Sequence, residues 1–413
     1  MNESALKRLL NAIDGYEKEA IHLQTELCKL PALGPENEGQ GEDAKAKYLK
    51  SYLEGIGIKD IRQYNAPDKR VPCGYRPNLV AVLPGKVESP RLWIMTHMDV
   101  VPPGDLRKWT GDPWTVRVDG DKVIGRGTED NQQGMVSSLL TAKALLETGM
   151  SPHVPFGLIL CADEETGSVH GVQYLLENEK DLFSKDDLII IPDAGDSKGT
   201  MVEVAEKSIL WVRFHTSGKQ THASTPEKGV NAHKAACYLV TRLDTLYEKF
   251  GDRDELFDPP ISTFEPTRKD ANVPNVNTIP GEDVFYLDSR VLPKYQLSDV
   301  IDAIAEFVRE TEKRFNVTIA MEHPQMESAA PPTAHDAPVA LAITRAVEAL
   351  RGRKPKPMGI GGGTVGKYFR EAGYPCAIWA TQDENAHAPD EYCRISAMLD
   401  DAKVFAHVAL QQE

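Results

Sequence analysis

The sequence is poor in cysteine and has no long apolar segment. Its six cysteines stand far apart, and no two of them form a C-x-x-C pair. This spacing disfavours a disulfide framework and a thiolate zinc site, and it favours a reducing cytoplasm as the location. The segment 1–30 is charged throughout, unlike a signal peptide, and no apolar run has the length that crossing a membrane requires. We therefore expect no membrane partner.

Basic residues are fewer than acidic residues. The 47 lysines and arginines face 62 aspartates and glutamates, which gives a net charge of −15. This charge disfavours nucleic acid as a partner, and it is compatible with a carboxylate-rich site for metal cations. The apolar fraction of 41% is ordinary for a globular protein, and the 413 residues suggest about two domains.

The order of predicted strands and helices divides the chain. In residues 1–203 apolar strands alternate with helices, which predicts an α/β sheet domain. From residue 204 the order becomes β-α-β-β-α-β, the pattern of a ferredoxin-like sandwich. Its predicted elements are strands at 208–216, 276–279, 283–291 and 317–322 and helices at 230–250 and 296–314. We therefore expect a catalytic domain formed by 1–203 and 325–413, with 204–324 inserted as a second domain.

A histidine and a carboxylate lie where the buried strand 92–98 ends. His97 and Asp99 are two residues apart, so their side chains point to the same side of a strand. This suits a metal-ligating histidine whose other ring nitrogen is fixed by a carboxylate. A surface hydrogen bond between the two side chains is the alternative.

Four further ligand-type residues follow strands or lie in tight loops: Asp130, Glu165, Asp193 and His387. Sheets of this class place their ligands at the carboxyl ends of strands. Two imidazoles with three carboxylates suit Zn²⁺ or Co²⁺, or else Mn²⁺, in a two-ion site. Five groups for two ions require one shared carboxylate, and Asp130 is central in the order. The alternative is a set of unrelated polar loop residues.

Two adjacent glutamates follow the strand 154–161. One of them, Glu165, can bind metal while Glu164 faces the substrate. A carboxylate beside a metal-activated water can take its proton and deliver it to a leaving amine. The alternative is a solvated helix start.

Five motifs that agree in order and spacing resemble the co-catalytic zinc amidohydrolase and metallopeptidase family. That family includes acetylornithine deacetylase, succinyl-diaminopimelate desuccinylase, aminoacylase, glutamate carboxypeptidase and several dipeptidases. The motifs are Thr96-His97-Met98-Asp99, Gly125-Arg126-Gly127-Thr128-Glu129-Asp130, Asp163-Glu164-Glu165-Thr166-Gly167, Pro192-Asp193-Ala194-Gly195 and Glu384-Asn385-Ala386-His387. The resemblance covers nearly the full length of the chain.

The resemblance implies a mixed-sheet, zinc-exopeptidase-like α/β catalytic domain with an inserted ferredoxin-like α+β domain that serves as lid and dimer contact. It also implies two divalent ions, most simply Zn²⁺. The implied roles are His97 and Asp193 on one ion, Glu165 and His387 on the other, Asp130 as the bridge, Asp99 as the support of His97, and Glu164 as general base and acid.

Substrate contacts are implied in the inserted domain and in a glycine-rich loop. His222 matches the histidine that polarises the scissile carbonyl, often from the partner subunit, and an ordinary loop histidine is the alternative. Asn277 resembles a lid asparagine that contacts substrate, and capping of a turn is the alternative. Arg290 suits a substrate carboxylate, with a structural salt bridge as the alternative. The run Gly362-Gly363-Thr364 offers backbone N–H groups before a predicted helix, where an anion can bind.

These features predict a hydrolase that cleaves the amide of an N-acyl amino acid through a metal-bridging hydroxide. A dipeptidase or carboxypeptidase acting on short peptides is the alternative, and a catalytically silent binding relative is the rival from another class. Asn131-Gln132-Gln133-Gly134 lacks the lysine that many deacylases of the family carry there. The narrower assignment therefore stays open. A homodimer through the inserted domain is also expected.

Overall fold

The computed structural model describes residues 3–411. The α-helices are α1 (Glu3–Asp14), α2 (Glu17–Cys28), α3 (Asp43–Gly55), α4 (Gln132–Glu147), α5 (Val172–Asn178), α6 (Ala232–Leu243), α7 (Leu246–Lys249), α8 (Leu297–Phe315), α9 (Pro338–Arg351), α10 (Gly366–Glu371) and α11 (Ile395–Leu410). The strands are β1 (Asp60–Pro67), β2 (Tyr75–Leu83), β3 (Leu92–His97), β4 (Arg117–Asp119), β5 (Lys122–Ile124), β6 (Phe156–Cys161), β7 (Leu188–Asp196), β8 (Met201–Glu206), β9 (Ser208–Ser217), β10 (Thr221–His222), β11 (Thr263–Lys269), β12 (Thr278–Ile279), β13 (Glu282–Val291), β14 (Thr318–Glu327), β15 (Lys356–Ile360), β16 (Cys376–Thr381) and β17 (Tyr392–Arg394). Among these helices, none is both long enough and apolar enough to cross a membrane.

The chain divides into two compact units. Unit 1 comprises the residues up to Val204, then Thr333–Pro357, and then the residues from Val365 onward. Unit 2 comprises Ala205–Pro332 and Met358–Thr364. Unit 2 therefore extends past the predicted boundary at 324 and includes the glycine-rich loop. The backbone hydrogen bond from Lys207 to Ile360 (3.0 Å) is one reason why this loop belongs to unit 2.

A mixed sheet forms the centre of unit 1. Its strands lie in the order β1-β2-β6-β3-β7-β16-β8, and β15 follows next to β8. The central strands β3, β6, β7 and β16 pair in parallel, whereas β1, β2 and β8 pair antiparallel. All six residues of β3 and all six of β6 are buried. This burial on both faces explains their continuous apolar sequences.

The register of the parallel strands brings the predicted site residues to one edge of the sheet. His97 at the end of β3 pairs with Cys161 at the end of β6, and β7 runs parallel beside β3. Asp193 lies inside β7, not after it as predicted, at a register irregularity opposite β16. A β-carbon on Gly134 of α4 would lie 2.5 Å from Pro192 Cγ, so only glycine allows α4 to approach this part of β7.

Unit 2 is a four-stranded antiparallel sheet in the order β11-β13-β9-β14. Buried side chains of its strands pack with those of α6 and α8 in one hydrophobic core. In chain order these elements are β9-α6-β11-β13-α8-β14, which is the predicted β-α-β-β-α-β order of a ferredoxin-like sandwich. The predicted fold class is confirmed.

One strand and one helix of unit 2 were predicted wrongly. The second strand of the pattern is β11, whereas only Thr278–Ile279 of the predicted 276–279 are in a strand, where they pair with β10. The β11 sequence is mostly polar, contains Pro266 and has a register irregularity, so it lacks the usual strand pattern. The predicted helix 230–250 is divided into α6 and α7.

Candidate functional site

Two imidazoles and three carboxylates meet at the strand ends of unit 1. His97 Nε2 lies 2.9 Å from Asp130 Oδ1 and 3.4 Å from Asp193 Oδ1. His387 Nε2 lies 3.1 Å from Asp130 Oδ2 and 3.2 Å from Glu165 Oε2. Asp130 thus turns one oxygen to each imidazole. The structure brings together all five residues predicted as ligands, in two groups that share Asp130.

The ring of His97 is fixed with Nε2 directed at these carboxylates. Its Nδ1 lies 3.0 Å from the backbone oxygen of Asp99 and 3.4 Å from that residue's carboxylate Oδ1. A carbonyl oxygen can only accept, so Nδ1 carries the proton and donates it. The lone pair of the neutral ring is therefore on Nε2, as a metal ligand requires.

Asp99 also holds the two glutamates that follow β6. Its carboxylate accepts hydrogen bonds from the backbone N–H groups of Glu164 and Glu165, each at 3.0 Å. The sequence predicted Asp99 only as the support of His97. One aspartate thus connects a predicted ligand at the end of β3 to the predicted base, which follows the neighbouring strand β6.

Glu164 lies beside the first imidazole. Its Oε2 is 4.0 Å from His97 Nε2, and donor atoms of Glu164, His97 and Asp193 lie within 4.8 Å of one another. Burial and the carboxylate of Asp193 raise the pKa of Glu164 well above its ordinary value. A partly buried carboxyl group with a raised pKa is suited to exchange protons near neutral pH.

The donor set fits divalent cations. Glu165 Oε1 is buried and has no hydrogen-bond partner among the described residues. Burial raises the pKa of Glu165 to about 7 despite its contact with His387. Burial also opposes ionisation of Asp130, but the two imidazoles outweigh burial and hold its pKa below the ordinary value. Such a group of carboxylates is destabilising by itself, and cations bound by N and O donors would neutralise it.

Two buried glutamates that the sequence analysis missed hold the ligand loops. Glu391 accepts hydrogen bonds from the N–H groups of Gly127 (3.0 Å), Glu129 (2.9 Å) and Asp130 (3.0 Å) and from Arg126 Nη1 (2.6 Å). It therefore fixes the loop that carries Asp130. Nothing in the local sequence distinguishes Glu391 from a surface residue before α11.

Glu129 holds the other ligand loop, the one that carries His387. Its carboxylate accepts the N–H groups of Asp383 (2.7 Å) and Asn385 (2.6 Å), in the loop that carries His387. Burial raises the pKa of Glu129 to about 7. Glu129, beside Asp130, therefore binds the backbone of the loop that carries His387. Glu391, which follows that loop, binds the backbone of the loop that carries Asp130. We call the pair Glu129 and Glu391 the carboxylate clasp.

The residues predicted for substrate contact lie in unit 2. Within this unit, Ala223 N–H donates to the backbone oxygen of Asn277 (2.8 Å), which brings the His222 loop and Asn277 together. The guanidinium of Arg290 is already paired, with two hydrogen bonds to Asp288 (2.9 and 3.1 Å) and one to the Gly361 oxygen (2.9 Å).

The glycine-rich loop is also partly occupied by the chain's own groups. Both the N–H and the hydroxyl of Thr364 donate to Glu206 Oε1, at 2.9 and 2.5 Å. The predicted anion contact of Thr364 stays a hypothesis, and its N–H would have to exchange Glu206 for the substrate. Gly362 and Gly363 keep their predicted role as a hypothesis.

Comparison with known proteins agrees with this geometry. Residues 93–411 match the sequence profile of Peptidase family M20/M25/M40. The chain is 38% identical over 411 residues to an uncharacterised metallohydrolase of Methanocaldococcus jannaschii, covering 95% of this chain and 98% of the relative. It is 26% identical over 404 residues to succinyl-diaminopimelate desuccinylase 2 of Ruegeria sp. (strain TM1040), covering 96% and 94%.

A solved structure shows the same fold. Human carnosine dipeptidase 1 superposes with a TM-score of 0.77 at 16% sequence identity, covering 98% of each chain. The family resemblance predicted from the five motifs is confirmed. The chain belongs to peptidase family M20/M25/M40 and is a metallohydrolase of that family.

Proposed function

We propose that the protein hydrolyses the amide bond of an N-acyl amino acid, such as an N-acetyl or N-succinyl derivative. The observation that carries this proposal is the position of Glu164, whose carboxylate lies 4.0 Å from His97 Nε2 while Asp99 holds its backbone N–H. The similarity to a desuccinylase over 96% of this chain supports an acyl substrate.

In this proposal His97 and Asp193 would hold one divalent ion and Glu165 and His387 would hold a second, with Asp130 as the carboxylate that the two sites share. Ions bound there lower the pKa of water and polarise a carbonyl oxygen. Glu164 takes a proton from the attacking water and returns it to the leaving amine. His222, from the same chain or from a partner subunit, donates a hydrogen bond to the carbonyl oxygen as negative charge develops on it.

A dipeptidase or carboxypeptidase activity is the second candidate. Gln132 stands where many deacylases of the family carry lysine, and it is buried with both side-chain polar atoms lacking hydrogen-bond partners among the described residues. This difference from the deacylases at position 132 supports a substrate other than an N-acyl amino acid. In either candidate, Arg290 can bind the substrate carboxylate only if it donates hydrogen bonds to Asp288 and to the substrate together, or gives up some of those to Asp288.

A substrate panel separates the two candidates. The purified protein, treated with chelator and then reloaded with Zn²⁺, Co²⁺ or Mn²⁺, is assayed against N-acetyl amino acids, N-succinyl amino acids and dipeptides. We expect turnover of the acyl derivatives with at least one metal. Turnover of dipeptides alone would establish the second candidate, and no turnover of any of the three sets would contradict the hydrolase proposal.

The variant Glu164→Gln tests the base directly. Glutamine has nearly the same shape but cannot accept the proton, so we expect activity to fall at least ~100-fold. Metal content measured by mass spectrometry should stay unchanged, because Glu164 is not one of the five ligands. Normal hydrolysis by this variant would contradict the assignment.

Zn²⁺ as the physiological metal, the cytoplasm as the location and a homodimer through unit 2 belong to the same proposal. The free state of all six cysteines agrees with a reducing compartment. Light scattering on a sizing column measures the oligomeric state.

A further inference from the structure

The imidazole of His222 is held by a single neighbour, Ser224. The Ser224 backbone N–H donates to His222 Nδ1 at 3.2 Å, and the Ser224 hydroxyl Oγ lies 2.7 Å from the same nitrogen. Both groups belong to one residue, two positions further along the chain. Among the described residues, the structure gives His222 Nε2 no hydrogen-bond partner.

These contacts determine where the ring proton lies. A backbone N–H can only donate, so Nδ1 must accept and cannot itself carry a proton. The hydroxyl can rotate to donate to the same nitrogen. In the neutral ring the single proton is therefore on Nε2, and this nitrogen is a hydrogen-bond donor directed away from Ser224.

The backbone around the ring is fixed as well. His222 pairs with Thr278 in the short ladder of β10 and β12. Its carbonyl oxygen accepts the Thr225 N–H (3.0 Å), and the next residue, Ala223, donates to Asn277 (2.8 Å). The turn that places the Ser224 N–H beside Nδ1 is thus held on both sides.

His97 and His222 have opposite kinds of neighbour at Nδ1. In His97 the acceptor at Nδ1 is a carbonyl oxygen, which places the proton on Nδ1 and leaves the lone pair on Nε2. In His222 the neighbour at Nδ1 is a donor, which places the proton on Nε2. The first form suits a cation ligand, and the second suits a donor to an oxygen that gains negative charge.

We propose that Ser224 is a positioning residue that keeps His222 in the Nε2–H tautomer, which leaves this N–H available as the hydrogen-bond donor that the proposed function needs. The kinetic part rests on the proposed function, in which His222 stabilises the developing oxyanion. The tautomer itself does not rest on it. Ser224 acts through His222 and does not touch the reacting atoms.

The tautomer is measured by nitrogen NMR. Protein labelled with ¹⁵N only in histidine gives separate signals for protonated and unprotonated ring nitrogens, and comparison with the spectrum of His222→Gln identifies the His222 pair. We expect an unprotonated Nδ1 and a protonated Nε2 in the wild type and in Ser224→Thr. Ser224→Ala keeps the N–H that requires Nδ1 to accept, so we expect the same tautomer, with a shifted Nδ1 signal because the hydroxyl hydrogen bond is lost. A protonated Nδ1 in the neutral wild-type ring would overturn the proposal.

The kinetic consequence is a change in kcat rather than KM. Loss of one neutral hydrogen bond to the ring should lower kcat about fivefold in Ser224→Ala, with KM nearly unchanged, because the His222 donor acts mainly in the transition state. Ser224→Thr keeps a hydroxyl and should restore the rate. In a His222→Gln background, Ser224→Ala should have no further effect. An equal fivefold loss in that background would overturn the proposal, because Ser224 would then act independently of His222.

The two proposals fail in different ways. If His222→Gln leaves turnover of the reactive substrate unchanged, the role of His222 in the proposed function is wrong, while the NMR result still tests the tautomer. If His222→Gln abolishes turnover but Ser224→Ala alters neither the spectrum nor kcat, the role of Ser224 is wrong and the proposed function stands.

Discussion

Replacement of Glu391 by glutamine should destabilise unit 1 and weaken metal binding together. The carboxylate is fully buried and accepts four hydrogen bonds, three from the backbone of the Asp130 loop and one from the buried Arg126 guanidinium. Glutamine keeps one acceptor oxygen and directs an NH₂ group at N–H donors. It also leaves the charge of Arg126 without its partner.

The magnitude follows from the buried ion pair. Removal of one member of such a pair costs ~3–5 kcal/mol, because the other charge stays buried and uncompensated. This free-energy cost already includes the weakened hydrogen bonds from the three backbone N–H groups, so no separate cost is added for them. We expect the free energy of unfolding to fall by about 4 kcal/mol, measured by urea denaturation followed by circular dichroism.

Hydrogen exchange shows where the effect lies. Peptides covering residues 126–130 should exchange faster in Glu391→Gln, because three of their N–H groups lose a charged acceptor, whereas peptides of α8 in unit 2 should not change. The double variant Arg126→Met with Glu391→Leu is the matched control. It removes both charges and should regain part of the lost stability. A loss below ~1 kcal/mol for Glu391→Gln, or a double variant as unstable as the sum of the single ones, would refute the reasoning.

Three further predictions use other parts of unit 1. Glu129→Gln should loosen the His387 loop and lower the bound metal from about two ions toward one, as measured by plasma mass spectrometry. If the variant keeps two ions, the role of the carboxylate clasp is wrong. Removal of metal by a chelator should lower the free energy of unfolding by ~2.7 kcal/mol for each ion lost, relative to protein with free metal at about 100 times the dissociation constant of each site. Burial lowers the pKa of Lys45 to about 8, so the unfolded chain binds more protons between pH 8 and pH 10.5 and the Lys45 contribution to stability rises over that window. The unfolding free energy of Lys45→Met minus that of the wild type should therefore fall by about 3 kcal/mol from pH 8 to pH 10.5, and a constant difference would contradict this.

The sequence could single out His97 and Glu165 because strand ends can be recognised locally, whereas Asp130 and His387 lie in loops. Apolar runs such as 92–98 and 154–161 mark buried strands, and parallel strands bring their carboxyl ends to one edge. His97 and Glu165 therefore come close without any knowledge of distant contacts. The β-α-β-β-α-β order of unit 2 could be predicted for the same reason, except for β11, whose polar edge sequence lacks the usual pattern.

The contacts that the sequence could not predict are long-range hydrogen bonds of buried polar groups. Glu391 and Asp130 are 261 positions apart, and Glu129 and Asn385 are 256 apart. A glutamate has the same local appearance whether it lies in solvent or accepts three buried N–H groups. The pairing of Arg290 with Asp288 is local, at two positions along β13, and the same spacing on a strand could have suggested it.

The hydrogen-bond partners of the carboxylates at this site separate two kinds of acid. Asp99, Glu129, Asp163 and Glu391 each accept at least one backbone N–H group. Among the hydrogen bonds of residues 3–411, Asp130, Glu164, Glu165 and Asp193 accept none from the backbone, only side-chain contacts. An N–H group stabilises a carboxylate and occupies the lone pair that a cation or a proton would use. The first group therefore holds loops, whereas the second has no backbone donor and contacts the two imidazoles and the Asn131 side chain. That division is the pattern expected for the predicted ligands and base, because a buried carboxylate with no backbone donor is stable only when a cation, an imidazole or a proton faces it.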